Sequence, residues 1–271
     1  MIRLNANENP YNPFEQLKYP PEFSINRYPE AGYLGLTEKI ANYMNCPVSE
    51  VVISNGSDDL LDALLRSQFN SGERILTLDP TFSEYERLSR INQLTLISPP
   101  ATCDGLFTDF DTLIDWIISE KPEGLLLCNP NNPTGQLFTD DEVIALINAM
   151  PSGSITIIDE AYKEFTEYDT PVRYRVPDRQ VIQVRTLSKA FGFAGLRIGY
   201  GLLSETTMKR LSPYLPPYRI GSVNILLAEQ LFSISRMRQE VDVILREKTR
   251  LTSALSQMYK VESFENSGNF I

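Results

Sequence analysis

The chain contains no histidine. That excludes Ser-His-Asp and Cys-His nucleophile systems, His-based zinc sites and every mechanism that needs an imidazole base. Proton transfer must then fall to Lys, Asp, Glu, Tyr or a bound cofactor. Cysteine is scarce too: Cys46, Cys103 and Cys128 are far apart and match no metal-ligand spacing. Such a set reads as reduced, core-packed thiols in a cytosolic protein. Basic residues are outnumbered, 25 Lys and Arg against 35 Asp and Glu, for a formal net charge of -10. An acidic surface argues against nucleic-acid binding, which needs clustered cations at the phosphates. No apolar run is long enough to span a bilayer, and the opening residues carry no apolar signal region. The expectation is a cytoplasmic protein that binds neither nucleic acid nor membrane.

What is present suits a folded α/β protein. With 271 residues, 42% of them hydrophobic, the chain can build one large domain and part of a second. Short apolar runs at 51–53, 75–78, 94–97, 125–128, 155–158, 181–184 and 198–202 read as strands, several of them continuous enough to be covered on both faces. Helical patterns lie between them. Leu60, Leu61, Leu64 and Leu65 form one stripe. Phe110, Leu113, Ile114, Ile117 and Ile118 form another, behind a start signal at Thr108-x-x-Asp111. Thr139-Asp-Asp-Glu142 predicts a capping box before Val143, Ile144, Leu146 and Ile147. Ser204 is placed to cap a helix towards Leu211, and one long helical pattern runs from Ser222 to Tyr259. The alternation predicts a mainly parallel sheet sandwiched by helices. The predicted division is an N-terminal arm at 1–25, a large domain at 26–210, and a linking helix with a partial, smaller α+β domain at 211–271.

Five segments carry chemistry, each just after a predicted strand. In Thr186-Leu-Ser-Lys189-Ala-Phe-Gly-Phe-Ala-Gly-Leu-Arg197, a lysine sits among small and apolar residues. Partial desolvation lowers a lysine's pKa, and the neutral amine attacks an aldehyde. Thr186, Ser188 and Arg197 offer hydroxyls and a guanidinium to a phosphate beside it. Asp159-Glu-Ala-Tyr162 puts a carboxylate at a strand's C-terminal end, where such sheets bind ligands. The alternative is that Asp159 caps a helix, but pyridoxal phosphate needs a carboxylate to keep its ring nitrogen protonated. Tyr162 and Asn132, the latter in the rigid Asn129-Pro-Asn-Asn-Pro-Thr-Gly135 turn, suit its phenolic oxygen. Ser57, in Ser54-Asn-Gly-Ser-Asp-Asp59, is either an ordinary helix cap or part of a phosphate cup. Tyr85, in Pro80-Thr-Phe-Ser-Glu-Tyr85, is either packed in the core or stacked on the pyridine face.

These segments resemble fold-type I pyridoxal-phosphate enzymes, and most closely the histidinol-phosphate aminotransferases. The matching stretches also include Asn7-Glu-Asn-Pro-Tyr11 and Arg27-Tyr28-Pro29, and they run in family order along nearly the whole chain. The resemblance implies that Lys189 holds the cofactor as a Schiff base and then moves the proton. It implies that Asp159 pairs with the ring nitrogen, that Asn132 and Tyr162 hold the phenolic oxygen, and that Tyr85 stacks on the ring. It puts Ser57, Asp58, Ser188 and Arg197 at the phosphate and Tyr11 near the substrate. It also sends Tyr28 to the phosphate of a partner subunit, which makes the protein a homodimer. The family's carboxylate-clamping arginine has no match, because the sequence stops at Asn269-Phe-Ile271. Either the sequence is truncated or another group binds the carboxylate.

Three activities are compatible with this reading. The first is amino transfer between a donor such as L-histidinol phosphate and 2-oxoglutarate, by a ping-pong route in histidine biosynthesis. The second is an amino-acid phosphate decarboxylase, a lyase on the same fold. The third is a truncated chain that binds the cofactor without turnover.

Overall fold

The computed structural model describes residues 7–11, 28–29, 33–101, 107–166, 173–258 and 266–271. Chain order within them is α1 (Leu34–Tyr43), β1 (Val51–Ser54), α2 (Ser57–Gln68), β2 (Arg74–Leu76), α3 (Glu84–Ile91), β3 (Thr95–Ile97), α4 (Phe110–Glu120), β4 (Gly124–Cys128), α5 (Asp140–Ala149), β5 (Ile155–Asp159), β6 (Gln180–Thr186), β7 (Gly199–Leu202), α6 (Glu205–Leu211), α7 (Ser222–Leu231) and α8 (Ile234–Gln257). The strands form a seven-stranded sheet in the order β1-β7-β6-β5-β4-β2-β3. β7 runs antiparallel to both its neighbours, and the other pairs are parallel. The mainly parallel, helix-sandwiched α/β sheet expected from the sequence is the one observed.

Strand alternation divides the core. Val52, Leu126, Ile157, Ile182 and Val184 meet α2, α3 and α6 on one face. Leu125, Leu127 and Ile158 meet α4 and α5 on the other. Val51, Ile53, Tyr200 and Leu202 meet α1, α7 and α8. A period of two explains this split, because successive side chains leave opposite faces of a strand. In β7 the alternation is Gly-Tyr-Gly-Leu, and the two glycines face α2. A Cβ on Gly199 would come within 2.4 Å of the Gly56 carbonyl carbon and the Ser57 nitrogen. One on Gly201 would come within 2.8 Å of Leu60. The bare backbone of β7 therefore lets the start of α2 sit directly on the sheet.

Several helix signals hold. Thr139 and Glu142 form both halves of the capping box, and Ser204 accepts from the Thr207 N–H at the start of α6. Two differ. The cap of α4 is Asp109, which accepts from the Thr112 N–H, while Thr108 is buried and bonds Gln136 through its backbone. An Asp in extended conformation outcompetes the neighbouring Thr as a cap once the latter is drawn into the core. The long pattern from Ser222 is two helices, interrupted at Phe232 and restarted by Ser233, whose hydroxyl accepts from the Arg236 N–H. Tyr259, its predicted end, lies outside the described residues. Cys128 is a buried free thiol and Cys46 a partly buried one, whereas Cys103 lies outside the described residues.

Candidate active site

Register gathers the functional segments at one end of the sheet. Ser54 and Thr186 both pair with Gly199, and Asp159 lies between Cys128 and Val184. The carboxyl ends of β1, β4, β5 and β6 thus meet beside the start of β7. There Ser57, Asp58, Phe82, Cys128, Asn132, Asp159, Ala161, Tyr162, Thr186, Ser188, Lys189 and Arg197 line a cleft with about 520 Å³ of empty space. A ligand crevice at the strand ends is where an open α/β sheet places one.

Lys189 is fixed by the compact connection from β6 to β7. Leu187 N–H donates to the Ile198 carbonyl, Phe193 N–H to Leu187 and Gly192 N–H to Lys189 itself. Leu187, Ala190, Phe191 and Phe193 are all core residues. The backbone around the lysine is therefore anchored on both sides while its amine points into the cleft, 5.5 Å from the centre of the Tyr162 ring. Burial pulls that amine below the usual lysine range.

Asp159 ends β5. Its Oδ1 accepts from the Ala161 N–H at 3.1 Å and its Oδ2 from the Tyr85 hydroxyl at 2.9 Å. Burial still raises the carboxyl to about 6, because the two hydrogen bonds offset only part of the desolvation. A buried carboxylate this short of positive charge suits a cationic partner. Its neighbour Glu160 faces the other way by strand alternation and pairs with the buried Arg185 at 2.8 Å. Arg185 also meets Glu164 at 3.3 Å. Glu160 belongs to the scaffold.

The Tyr162 hydroxyl accepts from Asn132 Nδ2 at 3.3 Å and from Asn7 Nδ2 at 3.2 Å. Burial pushes it up to about 12, so it stays protonated and available to donate. Two further asparagines of the Asn129–Gly135 turn hold that turn in shape. Asn129 exchanges hydrogen bonds with the Phe138 backbone. Asn131 donates to the Pro80 carbonyl at 2.9 Å and accepts from Thr81 Oγ1 at 2.7 Å. They fix Asn132 relative to the Pro80 loop across the cleft.

At the other end, Gly56 (φ 90°) occupies the N-cap of α2, and no side chain caps the first turn. Ser57 is therefore not the ordinary cap that its position allows. Arg197, itself left-handed at φ 51°, lies 3.6 Å from Asp58. A Cβ on Gly56 would sit 2.5 Å from the Arg197 guanidinium. The Thr186 hydroxyl is taken up by the Ile198 carbonyl and the Ser188 N–H. The Ser188 hydroxyl, by contrast, is buried with no partner. An orphaned hydroxyl, a guanidinium and the uncapped start of a helix lining the same cleft form a candidate phosphate cup.

Of the residues predicted from sequence, Lys189, Asp159, Asn132, Tyr162, Ser57, Asp58, Ser188 and Arg197 converge on this cleft. Tyr85 does not, and its predicted stacking role is corrected. Its ring is fully buried against α2 and the sheet, and its hydroxyl serves Asp159. Phe82, three residues earlier and edge-on to Tyr85 at 5.6 Å, is the aromatic that lines the cleft. Both rings belong to one Pro-Thr-Phe-Ser-Glu-Tyr segment, so the motif located the function without saying which ring supplies it. Tyr11 is 40% exposed and outside the lining, whereas Asn7 of the same segment donates to the Tyr162 hydroxyl and Asn9 to the Ala190 carbonyl. Tyr28 is 78% exposed and stacks on Tyr218 with ring centres 4.3 Å apart. Arg27 lies outside the described residues. Phe270, unassigned from sequence, meets the Tyr162 ring edge-on at 5.2 Å.

A desolvated amine, a buried carboxylate, a protonated phenol and a candidate phosphate cup define a pyridoxal-phosphate site on an aminotransferase fold. The sequence matches the family "aminotransferase class I and II" over residues 1–271, and the chain belongs to that family. It is a pyridoxal-phosphate-dependent aminotransferase, and among such enzymes it is similar to histidinol-phosphate aminotransferases. The one from Thermoanaerobacter pseudethanolicus is 32% identical over 274 residues, spanning 99% of this chain and 77% of that protein. The one from Chlorobium luteolum is 33% identical over 279 residues, spanning 100% and 76%. The fold agrees. The crystal structure of histidinol-phosphate aminotransferase from Sinorhizobium meliloti in complex with pyridoxal-5'-phosphate superposes with a TM-score of 0.80 at 22% identity, covering 93% of this chain and 70% of that one.

Proposed function

We propose that this chain takes the amino group from L-histidinol phosphate and passes it to 2-oxoglutarate in two half-reactions. The observation that carries the reading is the desolvated Lys189 amine held in one cleft with Asp159 and the Ser188–Arg197 cup. The names of the relatives supply the donor. Pyridoxal phosphate, when bound, supplies an aldehyde for the amine and a protonated ring that draws electrons from the reacting carbon.

The residues divide the remaining work. Lys189 would hold the aldehyde carbon, and its neutral amine would carry the proton between the donor's reacting carbon and the C4′ position. Burial lowers the lysine's pKa, which favours the neutral form of that amine. Asp159 pairs with the ring nitrogen, and an opposite charge there stabilises its ionised form. Asn132 and Tyr162 would donate to the phenolic oxygen. Ser57, Ser188, Arg197 and the first amides of α2 would grip the phosphate, with Asp58 orienting Arg197. Phe82 would cover one face of the ring. Tyr11 stands towards the substrate entrance. Tyr28 completes the phosphate cup of a second copy, so the working unit is a homodimer. The arm (1–25), the large domain (26–210) and the partial small domain (211–271) are the units of this reading, and the cytoplasm is its compartment. Among the described residues no helix is long and apolar enough to cross a membrane. The decarboxylase reading has no support from these relatives, which are aminotransferases by name.

The test is spectroscopic. The purified chain with pyridoxal phosphate is expected to show a visible band that L-histidinol phosphate bleaches and 2-oxoglutarate restores. Lys189→Ala should lose the band and all turnover. Borohydride trapping that labels a peptide other than the one around Lys189 would end the proposal.

A further inference from the structure

Residues 266–271 lie against the Asn129–Gly135 turn and the Tyr162 ring. The Ser267 N–H donates to the Gly135 carbonyl at 2.9 Å. Gly135, at φ 69°, has no Cβ where Asn266 packs, and one placed there would sit 2.1 Å from the Asn266 Cβ. Phe270 meets Tyr162, and Asn269 Nδ2 donates to the Asn7 carbonyl at 3.0 Å. Asn7 in turn donates to the Tyr162 hydroxyl. Two segments from opposite ends of the chain thus converge on one phenol.

Lys248 ties the C-terminal segment to α8. Lys248 Nζ donates to the Asn266 carbonyl at 2.6 Å, to Asn266 Oδ1 at 2.5 Å and to the Gly268 carbonyl at 2.7 Å. All three ammonium protons find an acceptor within one short loop, which fixes that loop's shape as a single backbone bond would not. The buried residues of the helix are Arg236, Met237 and Val241, all in its first half, and Ile244 and Leu245, one turn before Lys248, are only partly buried against the same core cluster as Phe270.

We propose that Lys248 is a positioning residue of the transamination site. By gathering Asn266 and Gly268 it holds Phe270 against Tyr162 and, through Asn269 and Asn7, keeps the Tyr162 hydroxyl aimed at the cofactor's phenolic oxygen. The proposal rests on Tyr162 having that partner. A loosened Tyr162 donates a weaker hydrogen bond, which disfavours the deprotonated form of the lysine-linked cofactor and raises its pH midpoint.

The experiment titrates the visible band of the holoenzyme against pH in the wild type, Lys248→Met, Lys248→Arg, Tyr162→Phe and the double variant Lys248→Met/Tyr162→Phe. Hydrogen exchange of the 266–271 peptide is followed in the same proteins before cofactor is added. Lys248→Met should raise the midpoint by about half a pH unit, in the direction of Tyr162→Phe and less far. It should speed exchange of the 266–271 peptide, and it should add nothing in the Tyr162→Phe background. Lys248→Arg, which can donate to the same carbonyls, should stay near the wild type. If Lys248→Met does not fold, Lys248→Gln takes its place with the same expectations. A wild-type midpoint in Lys248→Met, when Tyr162→Phe does shift, overturns the positioning role alone. So does an equal shift with and without the Tyr162 hydroxyl, or unchanged exchange. An unmoved midpoint in Tyr162→Phe overturns the reading of Tyr162 and the proposal with it.

Discussion

Asp159 shows how a residue suited to its cofactor burdens the protein without it. A carboxyl titrating near 6 in the fold and at 3.8 unfolded favours the protonated fold. Its penalty is absent below the unfolded value, where both states are protonated. It grows as pH rises and is complete above the folded value, at about 3 kcal/mol. Cofactor-free protein should therefore lose stability between about pH 4 and 6 from this group alone. Asp159→Asn should remove that loss, since the amide can still accept from Ala161 and donate to the Tyr85 oxygen. Urea denaturation of the cofactor-free protein at pH 7 is the measurement, and Asp159→Asn should be the more stable by about 2–3 kcal/mol. Saturating cofactor should reverse the order, because a ring N–H⁺ restores the missing charge. An Asp159→Asn protein no more stable than wild type at pH 7 would refute the buried-charge account. The aromatic pair gives a second prediction at this scale. Phe82→Ala should weaken cofactor binding about tenfold by fluorescence titration. Tyr85→Phe keeps a ring in the core and should affect binding only through Asp159. A larger loss of affinity in Tyr85→Phe than in Phe82→Ala would reinstate Tyr85 as the stacking ring.

At the scale of elements, the site depends on how closely α2 approaches β7. Alanine at 199 would strike backbone atoms of Gly56 and Ser57, which must shift, whereas alanine at 201 would strike the end of a leucine side chain. Gly199→Ala should therefore lower cofactor affinity at least tenfold, since it moves the helix amides and Ser57 out of the phosphate cup. Gly201→Ala should cost about 1–3 kcal/mol of stability and leave affinity within a few-fold of wild type. Equilibrium dialysis beside thermal melts separates the two, and equal affinity losses would show that the spacing of α2 does not govern the cup. The same elements show what the sequence makes legible. Apolar runs and the Thr139 and Ser204 caps mark where elements lie, because period and capping are local properties. The position of Lys189 after β6 and of Asp159 at the end of β5 is readable for the same reason. The direction of β7 was not, since its Gly-Tyr-Gly-Leu run is equally compatible with either pairing. Nor was the inward turn of Tyr85. Whether a ring faces the core or the cleft depends on the angle at which α3 enters, which is set by contacts distant in sequence. The roles of Asn7 and Phe270 are invisible for a related reason, as both depend on chain ends meeting at Tyr162.

Among the described residues, two exposed aromatics pair on the surface. Tyr28 and Tyr218 stack on each other yet stay largely exposed, and Arg219 beside them donates to the Ile53 carbonyl at the end of β1. A second copy covering this region would bring each Tyr28 to its partner's cup, and that arrangement can be tested without a structure of the assembly. In a mixed dimer of Lys189→Ala and Tyr28→Phe chains, one site has neither defect, because its lysine comes from the Tyr28→Phe chain and its tyrosine from the Lys189→Ala chain. The other site carries both defects. Tyr28→Phe alone should bind cofactor several-fold more weakly than wild type. Mixed dimers, formed by co-refolding and separated by differential tags, should bind half an equivalent of cofactor per chain through a lysine linkage at wild-type affinity. If Tyr28 served its own chain's site, the linked half would instead bind as weakly as the Tyr28→Phe parent, because the only chain with an intact lysine would lack the hydroxyl. Sedimentation velocity of the wild type should show a dimer at micromolar concentration. A monomer that binds cofactor at full affinity would rule out a shared site.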